Sequence, residues 1–190
     1  MSDLAARLTD ASSAAMAALP SDEVAAIRRY QGLDRSYELV ASVMRGLRPP
    51  GDLTATEAEL VTMILRTLPV SIARWCIPEP LRVYRGQRSV GRFFGSGARK
   101  ERVLVADSFL STTIFREVAL DEFTKPAGPG GPALLEISVP AGTPALWVPP
   151  IGDPALAYQG ELLLDLGSRI AVRGERQEGG ILVLDCEVMP

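Results

Sequence analysis

Three short segments of this chain set reactive residue types at spacings that suit chemistry on an anionic ligand: Tyr84-Arg85-Gly86, Ser111-Thr112-Thr113 and Gln159-Gly160-Glu161. Arg85 follows an apolar run and precedes glycine, so a fork suited to phosphate sits beside backbone that a ligand can approach closely. Taken alone, the same tripeptide is an ordinary strand end. Ser111 and Thr113 fall on one face of an extended segment and Thr112 on the other, where hydroxyls can bond a sugar and a neighbouring carboxylate. Gln159 and Glu161 bracket a glycine at i and i+2, which on a strand turns a carboxamide and a carboxylate to one face. The run Leu162-Leu163-Leu164 puts Glu161 at the entry to a buried strand, and a buried carboxylate calls for a partner or a ligand.

Composition removes rival chemistries. The 190 residues contain no histidine, which excludes a Ser-His-Asp triad, a Cys-His pair and the usual histidine zinc site, and leaves acid-base work to carboxylates. Cys76 and Cys186 are the only cysteines and read as buried small apolar residues rather than a disulfide. A net charge of -3 with a pI near 5.1 gives no overall attraction to a nucleic-acid backbone. Lys100 and Lys125 are the only lysines among twenty cations. That arginine bias suits bidentate phosphate recognition and follows equally from a GC-rich coding background. Residues 1–18 carry acids and no uninterrupted apolar stretch, so neither a secretory signal nor a membrane anchor is expected, and the chain reads as a soluble product of the cytoplasm.

The elements that must position these residues change character near Pro80. Before it the pattern is helical: an alanine-rich extension, a helix from Ser21 towards Tyr30, another from Asp34 or Ser36 through Leu47 closed by Pro49 and Pro50, and a third. The third starts at Thr54 or Thr56, where Thr56 and Glu59 fit a capping box, and ends at Leu68 before Pro69. After Pro80, strands are expected at 81–84, 103–105, 109–114, 133–139, 145–148, 160–164, 169–173 and 181–188. The glycine- and proline-rich stretch 125–132 is expected as a mobile loop between two strands. Helices first and strands afterwards predict an α+β class, with residues 1–20 an extension and 21–190 one domain.

Order and context give the three segments a common meaning. The stretch Tyr158 to Val172 resembles the Gln-x-Glu-x-Leu-Leu pattern of the clostridial Rho-modifying exoenzymes and related mono-ADP-ribosyltransferase toxins. Residues 107–113 are similar to the family's segment ending in Ser-Thr-Ser or Ser-Thr-Thr, and Leu135 to Thr143 to the strand and turn between. The resemblance covers residues 25 to 188, and its specific part is the three blocks. Helix 34–48 resembles a family helix ending in Leu-Arg but lacks its asparagine, which makes Arg45 or Arg48 a candidate phosphate contact.

The resemblance implies N-terminal helices packed on two small, mostly antiparallel sheets that form an NAD cleft. It implies NAD as co-substrate and no metal. It implies cofactor contacts from Arg85, Gly86, Ser111, Thr112, Thr113 and Glu161, and catalysis by Glu161, Gln159 and Ser111. Gln159 and Tyr158 would meet the target, with Trp147 and the 149–157 loop lining that side and Arg116 closing over the nicotinamide. Glutamine at position 159 disfavours arginine as acceptor and favours an asparagine-like group or a nucleic-acid base, since a carboxamide cannot take a proton from guanidinium. The implied partners are a macromolecular target, protein before nucleic acid, and an immunity protein. Delivery to a target cell would need a specialised secretion route. NAD glycohydrolase and a non-catalytic NAD-binding module remain the alternatives.

Overall fold

Each element begins where local sequence can satisfy its first free amides. The structure is a computed structural model that describes residues 2–32, 34–90 and 103–189. Helix α1 (Asp3–Ala17) opens on Ser2, whose hydroxyl accepts from the Ala5 amide, and buries Ala5, Leu8 and Met16. Its Thr9 hydroxyl accepts from the Trp147 indole at 3.0 Å, so the extension is docked on the main core. Helix α2 (Ser21–Gln31) starts with Asp22 and Glu23 and ends with Arg28 and Arg29, the charge order its dipole favours.

Two helices differ in their boundaries from the sequence expectation. Helix α3 (Ser36–Met44) ends before the prolines, because Gly46 takes φ 67° and lets the Leu47 amide reach back to Ser42 O at 2.9 Å. Helix α4 (Ala55–Ile72) is capped by Thr54 and Glu57, not Thr56 and Glu59, and Arg48 clamps both oxygens of Glu57 at 2.9 Å. That helix also runs through Pro69. Its final turn buries Leu68, Ser71 and Ile72, and the Ser71 hydroxyl bonds Glu23 at 2.7 Å, which outweighs the bond proline removes.

The strands are β1 (Leu81–Gln87), β2 (Val103–Val105), β3 (Leu110–Thr113), β4 (Ala133–Val139), β5 (Ala145–Trp147), β6 (Glu161–Leu164), β7 (Arg169–Glu178) and β8 (Ile181–Met189). They form one ladder in the order β2-β7-β8-β4-β1-β3-β6-β5, antiparallel except for the β4–β8 pair. Strands β1 and β3 pair at Tyr84 and Thr113 alone, the narrowest join in this one eight-stranded sheet, with five strands on one side of it and three on the other. The three segments singled out by chemistry lie on β1, β3 and the start of β6, neighbours at this junction.

Helix α5 (Arg116–Phe123) was not expected from the sequence, and residues 125–132 therefore connect a helix to β4 rather than two strands. Its amphipathic signal is faint because only Ala119 is fully buried. Cys186 is buried, Cys76 is exposed against expectation, and both are free thiols. No helix among the described residues is long and apolar enough to cross a membrane.

Candidate active site

Glu161 opens β6, directly after Gly160, which takes a left-handed φ of 55°. A Cβ at residue 160 would stand 2.6 Å from the Phe115 ring, so glycine is required there twice over. The Glu161 carboxylate is buried, with Oε1 accepting from the Ser111 hydroxyl at 2.5 Å and Oε2 from Gln31 Nε2 at 3.1 Å. Register fixes this meeting: β3 and β6 pair antiparallel with Thr113 opposite Glu161 and Ser111 opposite Leu163. Burial raises the Glu161 carboxyl above its ordinary range, against the hydrogen bonds from Ser111 and Gln31 and the nearby Arg85 charge.

Arg85 is joined to the same site through backbone. Its Nη1 donates to the Ser111 carbonyl at 2.6 Å, while its Nε is shut off from solvent with no hydrogen-bond partner among the described residues. Burial pulls this guanidinium below its ordinary value, and the surrounding charges include Arg45 and Asp107. Tyr30, edge-on to Phe109 at 5.6 Å, lies close by, its phenol pushed up by burial and then by the Glu161 charge. The three segments thus converge: Arg85 holds the backbone of Ser111, and the side chain of Ser111 holds Glu161.

Other candidates fall elsewhere. Gln159 does not share a strand face with Glu161, because it closes the 3-10 turn Pro154–Gln159 and Gly160 reverses the chain between them. Its Nε2 donates instead to Glu122 of α5 at 2.8 Å. Tyr158 beside it is 57% exposed, and a hydrogen bond to Glu122 raises its phenol. Thr112 and Thr113 turn their hydroxyls to backbone, at Leu162 O (2.6 Å) and Gln159 O, so of the three only Ser111 reaches the carboxylate.

Gly86 lets α5 pack against β1, since a Cβ there would stand 2.2 Å from Ala119 O. Trp147 is core, 1% exposed, and lines no outer face. Arg116 is held by Glu136 at 3.0 Å and Glu178 at 2.6 Å. Arg45 bonds Asp107 and Ser108 on the Arg85 side, whereas Arg48 is committed to Glu57.

Sequence reasoning missed Gln31 and Glu122. Each lies far along the chain from its partner, 130 and 37 residues away, in helices whose local pattern gives no sign of a site.

No family model matches the sequence, and no curated protein matches it. Its fold is nevertheless shared. Plx2a, an ADP-ribosyltransferase toxin from Paenibacillus larvae, superposes with a TM-score of 0.72 at 16% identity over 99% of this chain and 96% of its own. An ADP-ribosyltransferase from Clostridium botulinum does so with 0.71 at 13% identity, over 100% and 96%. The ADP-ribosylating toxin BECa of C. perfringens, solved with NADH, gives 0.70 at 15% identity over 98% of this chain and 48% of its own. The chain has the fold of the ADP-ribosyltransferase toxins.

Proposed function

We propose that this chain is a mono-ADP-ribosyltransferase that cleaves NAD at the nicotinamide-ribose bond and passes ADP-ribose to a macromolecular acceptor, acting as a toxin or effector. One observation carries the reading: a buried carboxylate, Glu161, fixed by Ser111 at the same junction as a buried arginine whose Nε has no partner among the described residues. An orphaned guanidinium donor fits a phosphate, and neither group is explained by packing alone. The NADH bound to BECa supports a dinucleotide in a cleft of this fold.

Bound NAD would supply a ribose carbon that becomes positive as nicotinamide departs. Arg85 would grip phosphate, with Arg45 on the same side as a second cation. Glu161, ionised and held in one orientation, would hydrogen-bond the ribose hydroxyl and stabilise that charge where water is excluded. Gly86 would offer backbone groups to the nicotinamide amide. Tyr158 and Gln159 face the acceptor. The Nε2 of Gln159 is directed to Glu122, so its carbonyl oxygen is left to accept from an incoming N–H, as a carboxamide acceptor presents.

Nicotinamide release from NAD tests this directly. The wild-type chain should release it, and Glu161→Gln should lower the rate by about a hundredfold or more with the fold intact. Equal rates in the two proteins defeat the proposal. Labelled NAD added with a cell lysate separates the readings: label on a protein supports transfer, and free ADP-ribose alone marks a glycohydrolase.

A further inference from the structure

The oxygen of Glu161 that Ser111 does not hold is held by a residue from outside the three segments. Gln31, the last residue of α2, donates from Nε2 to Glu161 Oε2 at 3.1 Å and accepts at Oε1 from the Asp153 amide at 2.8 Å. Chemistry fixes which way the carboxamide faces, because an ionised carboxylate only accepts and a backbone amide only donates. The Asp153 turn reaches Gln31 because residue 152 is glycine: a Cβ there would lie 2.4 Å from Gln31 Oε1 and 2.7 Å from Val148 Cγ1. One turn earlier on the same helix face, Arg28 Nε donates to the Ile151 carbonyl at 2.8 Å. Helix α2 therefore grips residues 151–153 at two points, immediately before the turn that carries Tyr158 and Gln159.

A single hydrogen bond does not set the plane of a glutamate carboxylate, whose last torsion is broad. Two donors on opposite oxygens do. Ser111 comes from the sheet and Gln31 from the helical layer, so Glu161 is oriented only when α2 is seated against β6.

We propose that Gln31 is a positioning residue for the reaction: it fixes the plane of the Glu161 carboxylate and ties that carboxylate to the acceptor-facing loop. The inference rests on the NAD-dependent activity proposed above. Glu161 faces Arg85 from β1, the Tyr30 phenol from α2 and the Ser111 hydroxyl from β3, with Arg45 and Asp107 beyond Arg85. Among these, the Gln31 amide is a neutral donor whose loss removes support from the ionised form without changing the charge of the site.

The test measures nicotinamide release, with NAD alone as the probe, across pH for wild type, Gln31→Met, Gln31→Glu and Glu161→Gln. Gln31→Met keeps the volume and loses both hydrogen bonds. It should lower kcat about tenfold or more, leave KM for NAD within about twofold, and move the acid limb of kcat/KM to higher pH. Gln31→Glu keeps the acceptor for Asp153 but sets a second carboxylate against Glu161, and should move that limb further up. Should Gln31→Met fail to fold, the limb of Gln31→Glu decides alone. Wild-type kinetics in the folded variants, or a fall in kcat with the acid limb unmoved, overturns the assignment. Those outcomes leave the activity itself standing, whereas a wild type that releases no nicotinamide and matches Glu161→Gln removes the functional reading first.

Discussion

Glu161 and Arg85 bring opposite charges into one desolvated site, and each is held by hydrogen bonds to Ser111 rather than by the other. Such an arrangement favours a ligand over the empty fold, since burial disfavours both charged forms. Because the folded pKa of Glu161 is raised, its contribution is fully present below the ordinary carboxylate range and is lost as pH rises through the raised value. Glu161→Gln should therefore gain in Tm relative to wild type on going from pH 4 to pH 8, as differential scanning fluorimetry will read; a variant Tm that falls relative to wild type over that range contradicts the burial argument. Arg85→Met should raise KM for NAD at least about tenfold while shifting unfolding free energy by no more than about 1 kcal/mol, a split visible in parallel kinetics and urea titrations.

Elements are placed by close approaches that only small residues permit. Gly86 brings α5 onto β1, and α5 in turn presents Glu122 to Gln159. Gly86→Ala should cost about 1–3 kcal/mol by overpacking, measured by urea denaturation, and should loosen the Gln159 turn with it. Gly174→Ala is the matched control, for its Cβ would meet only the Asp185 Cβ at 3.7 Å and the cost should be far smaller. Helix α5 also anchors the opposite face through Arg116, which joins Arg82 and Arg176 around the buried Glu136. Burial raises that carboxyl, and hydrogen bonds from Arg116 and Arg176 more than offset it, holding Glu136 below its ordinary range.

Across the whole molecule, buried carboxylates set the response to acid. Hydrogen bonding from Arg74 holds Glu23 low despite burial, at 2.5 Å and 3.0 Å, so α2 is tied to the end of α4. A depressed pKa contributes stability that is present above the ordinary value and lost as pH falls through the folded one. Tm should fall on acidification below about pH 4.5, and Glu23→Gln should flatten part of that fall in a thermal series. Glu161 and Asp165, both raised by burial, act with the opposite sign to Glu23, Glu57 and Glu136. The sequence by itself determined the α+β class and the positions of the eight described strands, because alternation and breaker residues act locally along the chain, while Ser111 and Glu161 as residues of one site came from the resemblance of the three segments. Only the tertiary structure decided that Gln159 turns away from Glu161, that Thr112 and Thr113 face backbone, and that Gln31 completes the carboxylate's hold. Those outcomes depend on a left-handed glycine and on contacts between residues far apart in the chain, which no local periodicity encodes.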